Sequence, residues 1–562
     1  MEAFKINKSS KIILLIEIIF PIVLLILGIY NGLLQTLYRS GIIHGNSFLG
    51  IEYYQGLTLH GVINAVVLTT FFAVAFGNAL MMFYLRKQLN KFTNILSVVL
   101  MVGGTLMAAL AMLSGKASVL YTFYAPLMAH PAFYLGLALA VVGSWVAFFG
   151  WIPLYTSWRK ENPDKKTPLA VWGMLSNFII WFFASASVAV EILFFLLPWS
   201  LGWIEGINVE LTRTLFWFFG HPLVYFWLLP AYIMYYTILP QVAGGKLYSD
   251  KAGRLVFALF IILSIPIGTH HQFMEPGIEK GYKLIHSILT FGVAIPSLLT
   301  AFTVAASLEY AGRKNGAKGL LDWMFKLPYF DKNKYLFAYG IIGLLIFIRG
   351  GAGGIVNASY SLNATVHNTG WIPGHFHLTV GGPVFLAILG LSLYMITKIL
   401  GKEVKYKTLN LMVPYFWFVG LMIFSTGLKM GGLEYGEPRR TNMGLSYLNM
   451  GGDSFEPFWL FTTLTTVMGG IIMTIAAIFY FITFFGTLFS KSVNEGGVVE
   501  FPVAEAYHDE PNIKPVNKLL PWAIAALLII AAAYYGPIKN TLDNTLTKSP
   551  TYLPSSPVPH TH

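Results

Sequence analysis

PGHFHLTVGGPVFLAILGLSLYMITKIL, residues 373–400, decides how this chain folds. From Leu378 to Thr397 it carries no charged side chain. A helix that crosses a bilayer needs about 20 mostly apolar residues, so the stretch reads as a spanning helix. It opens with two imidazoles, His375 and His377. Ionisable side chains at membrane depth are rare and mark function by default. Reading outward, twelve further runs of this kind lie between residues 10 and 536. The expectation is an all-α polytopic membrane protein of about 13 transmembrane helices. It forms one integral domain over 1–562, with a Pro- and Ser-rich extended tail over 537–562.

The composition excludes other classes. Of 562 residues, 56% are hydrophobic and only 11% charged, against roughly 25% charged in a soluble domain. Too little polar surface remains to cover a soluble globule. The net charge of +12 reads as basic loops on the cytoplasmic side rather than a nucleic-acid partner. Lys5, Lys8 and Lys11 precede the first run, Arg86, Lys87 and Lys91 follow the second, and Arg159, Lys160, Lys165 and Lys166 follow the fourth. The alternate loops are poorer in Lys and Arg, which puts the N-terminus in the cytoplasm and the C-terminus outside. Cysteine is absent, so the chain holds no disulfide, thiolate zinc site or cysteine-bridged copper centre.

With the orientation set by Lys and Arg alone, six histidines fall at one depth in the outer part of the membrane. His60 opens the second run and His221 lies in the sixth. His270 and His271 close the seventh, and His375 and His377 open the tenth. This convergence points to a metal or haem site. His375 and His377 are two residues apart, so at about 100° per residue their side chains diverge by about 200° and serve two cofactors on opposite faces. His270 and His271, at a helix end, can both turn toward one ion, and His221 completes a three-nitrogen site. Imidazoles suit copper, zinc, iron and nickel, so spacing does not choose the metal.

Tyr225 follows His221 by four residues, which puts its phenol on the same helix face, about 5–6 Å away. Below it, Tyr232 and Tyr236 continue that face toward the cytoplasm. Ser297, Thr300 and Thr303 form a second descending stripe on the eighth run. Two hydroxyl stripes leading from one site toward one side read as a proton relay.

GHPLVY (220–225), THHQF (269–273) and PGHFH (373–377) together resemble subunit I of the haem–copper oxygen reductases, most closely the B-type branch of cytochrome c oxidases. The resemblance implies the subunit I fold and four-electron reduction of oxygen to water, coupled to proton uptake and pumping. It implies that His60 and His377 are the axial ligands of a low-spin b-type haem and His375 the ligand of a high-spin a-type haem. Copper B then falls to His221, His270 and His271, and Tyr225 is the redox-active tyrosine, joined to His221. Arg439 and Arg440, in GEPRRT, would bind haem propionates, with His367 and Asn357 beside them. Tyr232, Tyr236, Ser297, Thr300 and Thr303 would form the single proton path of the B-type branch. Leu223 replaces the Glu that A-type relatives carry after the copper histidine, and Asn363 stands where relatives carry Asp near the propionates. Implied partners are the lipid bilayer of a prokaryotic cell (inner) membrane, a subunit II with a dinuclear copper centre, a small membrane subunit, and cytochrome c as donor. A quinol oxidase of the same superfamily remains an alternative. Nitric oxide reductase lacks this tyrosine, and a metal or solute transporter needs neither the paired histidines nor Tyr225.

Overall fold

A computed structural model describes residues 1–549 apart from 45, 46, 48, 276, 447–456, 509, 511–513 and 544–547. Thirteen helices among the described residues are long and apolar enough to cross a bilayer. They are α1 (Lys8–Arg39), α2 (Tyr53–Leu85), α3 (Lys91–Leu113), α4 (Pro131–Glu161), α5 (Leu169–Ser200), α6 (Val209–Thr237) and α7 (Asp250–Gln272). The remainder are α8 (Lys280–Lys314), α9 (Lys332–Ala358), α10 (Trp371–Leu400), α11 (Lys407–Glu434), α12 (Phe458–Leu488) and α13 (Leu519–Asp543). Hydrocarbon offers no partner for a backbone N–H or C=O, so each span satisfies its own ladder. Helix starts are set by polar caps: Asn7, Asn90, Asn208 and Ser249 accept from the backbone N–H groups of Ser10, Thr93, Leu211 and Ala252. Span α10 stops where Gly401 turns left-handed (φ +64), a conformation that glycine adopts without strain.

Two sets of ties hold opposite faces of the bundle. On one face Phe4–Lys5 pairs antiparallel with Val498–Val499, and Leu247 bridges Ala506. On the other, Ile207–Asn208 pairs with Lys548–Ser549, and Thr369 bridges Pro438. These pairings agree with the alternation of loops read from the basic residues. The segment expected to be extended from 537 is helical as far as Asp543. Its last turns are anchored sideways, Asn540 donating to Glu279 at 3.0 Å and Asn208 to the Thr541 carbonyl at 2.8 Å. The rest of that tail, beyond the Lys548–Ser549 pairing, lies outside the described residues.

One buried polar cluster ties three spans together. Asn78 of α2 donates to the fully buried Glu17 carboxylate of α1 at 3.0 Å and accepts from Trp151 Nε1 of α4 at 2.8 Å. Three of the spans that carry histidines, α2, α7 and α10, are irregular. A π-helical turn, Val62–Val67, begins two residues after His60, and another, Val380–Val384, begins three residues after His377. Such turns insert one extra residue and re-aim the helix face, commonly at functional sites. Span α7 is α-helical to Ser264, breaks at Pro266 (φ −86, ψ 35) and Ile267 (φ −132, ψ 16), and finishes as a tighter 3₁₀ segment holding His270 and His271.

Candidate functional site

The break in α7 brings two adjacent imidazoles to one point. His221 of α6, His270 and His271 present ligand nitrogens that all lie within 4.8 Å of one another. His221 Nδ1 is 3.2 Å from His271 Nε2. One ring is held by its outer nitrogen. His270 Nδ1 meets the Ile267 carbonyl at 2.5 Å and the Thr290 hydroxyl at 3.1 Å, which leaves Nε2 to ligate. His271 lies flat on Trp217, with 3.8 Å between ring centroids and 11° between planes. Tyr225 stands beside the cluster, its ring 4.9 Å from the His221 ring, and packs on Phe260. The three imidazoles fit one four-coordinate ion with a position left open, a donor set that suits copper.

His60 of α2 and His377 of α10 face each other across a slot. Their rings are nearly parallel (13°) with centroids 6.2 Å apart. Two metal–imidazole bonds of about 2.0–2.1 Å plus the two ring radii fill that gap, so the pair fits the axial positions of a haem iron. Each ring is turned by its far nitrogen: His60 Nδ1 meets the Gly28 carbonyl at 2.9 Å, and His377 Nδ1 the Pro373 carbonyl at 2.7 Å. Gly28 and Gly32 of α1 make the approach possible. A Cβ at Gly32 would sit 2.7 Å from the His60 ring, and one at Gly28 would sit 2.1 Å from Asn64 Oδ1. His375 turns away from His377, as the two-residue spacing requires. It stacks on Trp371 (5.6 Å, 14°) and fits against Gly353, where a Cβ would come within 2.4 Å of its Nδ1.

Above these rings, in the loop between α11 and α12, Arg439 and Arg440 are held inward. Arg439 Nε and both Nε and Nη2 of Arg440 are buried with no protein partner. Arg440 lies over the rings of Tyr121 and Tyr124, at 5.5 and 5.0 Å. Burial, and then the charges of Arg439, Arg213 and Arg440, push the His367 imidazole down to about 4. Buried guanidinium donors in a field of one sign fit carboxylates such as haem propionates. The loop is pinned by Glu437, which accepts from Arg39 of α1 and from Thr462 of α12. Its carbonyl accepts from Gly370 N–H at 2.7 Å. Asn357 and Asn363 lie beside His270: the Asn363 amide donates to the carbonyls of Asn357 (2.9 Å) and His270 (3.2 Å).

The two hydroxyl stripes meet. Tyr232 donates to Ser297 at 3.1 Å and Tyr236 to Thr300 at 2.8 Å. Thr303 follows one turn further along α8, and its hydroxyl donates to Leu299. The structure groups His221, His270 and His271 with Tyr225, faces His60 with His377, buries Arg439 and Arg440, and joins Tyr232 to Ser297 and Tyr236 to Thr300. Trp217, Trp371, Gly353 and the Arg39–Glu437 pair were not singled out from the sequence. Their signals were an aromatic four residues before a ligand, a glycine-rich RGGAGG run (349–354), and nothing local for a pair 398 residues apart.

A three-imidazole centre facing one histidine, beside a parallel imidazole pair, defines a membrane redox protein with two haem sites and one further metal site. The chain belongs to the family described as Cytochrome C and Quinol oxidase polypeptide I, whose pattern matches residues 12–468. It is 44% identical over 497 residues to cytochrome c oxidase subunit 1 of Thermus thermophilus, covering 86% of each chain. It is 29% identical over 392 residues to heme-copper oxidase subunit I+III of Aeropyrum pernix, covering 66% of this chain and 46% of that one. A solved heme-copper terminal oxidase dimer superposes with a TM-score of 0.96 at 50% identity, covering 99% of this chain and 97% of that chain. The chain is accordingly the catalytic subunit of a haem–copper oxidase. Membership implies haems, copper B, a subunit II and a membrane setting.

Proposed function

We propose that this chain is subunit I of a B-type cytochrome c oxidase, a single integral domain over 1–562. His60 and His377 hold a low-spin b-type haem, His375 a high-spin a-type haem, and His221, His270 and His271 copper B. The observation that carries this reading is the convergence of the three imidazoles within 4.8 Å with Tyr225 beside His221. When bound, the high-spin haem and copper supply the reduction of oxygen to water.

The chain's own groups do the rest. Tyr225 supplies a proton and an electron at the reacting oxygen, and its place on His221 keeps the phenol within the site. Arg439 and Arg440, with His367 and Asn357 at their edge, hold the propionates. Protons rise from the cytoplasmic side through Thr303, Thr300 with Tyr236, and Ser297 with Tyr232. Moving one charge against the membrane potential costs about 2.3 kcal/mol per 100 mV. A track of discrete hydroxyls moves protons without opening a water-filled leak. The N-terminus faces the cytoplasm and the C-terminus the outside of a prokaryotic cell membrane. With no cysteine in the chain, electrons from cytochrome c enter through a dinuclear copper centre in subunit II, and a small membrane subunit completes the complex.

Oxygen uptake by the purified complex, driven by reduced cytochrome c and separately by a quinol, tests this. Uptake from cytochrome c that collapses in Tyr225→Phe, with both haem signals intact, supports the proposal. Uptake from quinol alone moves the chain to the quinol branch, and an unaffected Tyr225→Phe refutes the role of the phenol.

A further inference from the structure

Two cations lie at membrane depth in the outer half of the bundle, outside the ligand set. Arg349 of α9 donates from Nη2 to Thr426 of α11 at 3.0 Å. Lys429 sits one turn further along α11, on the same face as Thr426. Among the described residues neither is in an ion pair. Ionisable side chains at membrane depth without a protein counter-ion are rare and call for a function.

Lys429 has a defined address. Its ammonium lies 4.9 Å from the centroid of the Trp371 ring, and Trp371 stacks on His375 at 5.6 Å and 14°. Its stem runs along Gly374, the neighbour of His375: a Cβ there would sit 2.7 Å from Lys429 Cγ. Helices α10 and α11 are clamped at this point, Ser425 donating to the Gly374 carbonyl at 2.7 Å. The ammonium, the indole and the imidazole form one column, and cation–π attraction fixes its upper half.

We infer that Lys429 is a positioning residue that biases electrons toward the centre held by His375. The inference rests on the proposal that His375 holds the high-spin haem. A haem iron gains one negative charge on reduction, and a fixed positive charge nearby favours that state. The two stacking distances place the ammonium within about 10 Å of the His375 ring. At an effective dielectric constant of about 20, a unit charge at that range shifts a one-electron equilibrium about tenfold. Tenfold corresponds to about 59 mV for one electron. The charge sits on the His375 side of α10, so the effect on the His60–His377 centre is smaller, and the bias favours transfer into the oxygen site.

The test is spectroelectrochemical titration of both haems in the purified complex, for wild type, Lys429→Met, Lys429→Gln and Lys429→Arg. The expected result is a fall of about tenfold in the reduction equilibrium of the high-spin haem in both neutral variants, a smaller fall for the low-spin haem, and wild-type values in Lys429→Arg. Trp371→Phe, which keeps the stack and weakens the cation–π contact, falls between. Unchanged potentials in neutral variants that retain both haems overturn the inference. So does a shift confined to the low-spin haem. A His375→Ala complex that keeps its high-spin haem overturns instead the site reading on which the inference rests.

Discussion

Replacing Gly353 with alanine is expected to disable the His375 centre while leaving the fold standing. In a helix interior alanine is favoured over glycine by about 1 kcal/mol, so local stability alone predicts improvement. The geometry opposes it. The new methyl would stand 2.4 Å from His375 Nδ1, 3.2 Å from Cγ and 3.4 Å from Cε1. Ordinary carbon contacts begin near 3.5 Å, so the ring must retreat by about 1 Å. It cannot slide freely, because Trp371 is stacked parallel to it. Overpacking of this kind costs about 1–3 kcal/mol, part of which the helix gain offsets, so the complex still assembles. A displacement of about 1 Å at a reacting centre costs on the order of 10²-fold in rate. Gly354 supplies the control, since a Cβ there meets only His375 Cε1, at 4.0 Å. The assay is oxygen uptake beside the carbon monoxide difference spectrum, which reports the high-spin haem alone. Gly353→Ala is expected to lose or shift that spectrum and most of the turnover, while the low-spin bands and Gly354→Ala stay normal. Full turnover with an unshifted spectrum in Gly353→Ala would refute the reasoning that glycine is there to seat the ring.

Two more outcomes follow from contacts in the structure. Tyr236→Phe removes the donor of the 2.8 Å bond to Thr300, and proton uptake during single turnover should slow by about 10²-fold with both haem spectra unchanged; uptake at the wild-type rate would remove the track from the proton route. Glu437→Gln leaves the buried Arg39 guanidinium without its carboxylate, which should cost about 3–5 kcal/mol of stability and loosen the Arg439–Arg440 loop. Thermal unfolding of the detergent-solubilised complex followed by haem release measures it, and an unchanged midpoint would show that the pair does not pin the loop.

Much of this architecture was legible because hydrocarbon imposes few solutions. Spans of 20 or more apolar residues, with Lys and Arg richer in alternate loops, sufficed for thirteen helices and their order. The histidines were legible because imidazoles are rare at membrane depth, and because two residues of helix turn His375 and His377 apart whatever the packing. Facing stripes at Tyr232–Tyr236 and Ser297–Thr303 were likewise carried by helical periodicity.

What escaped has physical causes. The π turns after His60 and His377 add one residue to a helix without altering its composition, so hydropathy does not register them. The 3₁₀ finish of α7 left a local trace in Pro266, but only packing decides which way His270 and His271 then turn. Gly28, Gly32 and Gly353 work by the absence of a side chain against a ring from another span. Arg39 and Glu437 are 398 residues apart, and nothing in either neighbourhood announces the other. The end of α13 was placed too early because Pro537 reads as a breaker, whereas Asn540 and Thr541 find partners on neighbouring segments.

The most direct test of the whole account is the copper and haem content per chain of His221→Ala beside wild type, in complexes that retain subunit II. The account predicts that the variant loses one copper, keeps both haems, and consumes no oxygen. Copper content equal to wild type would contradict it, because the three imidazoles that meet within 4.8 Å would then not be what holds the metal.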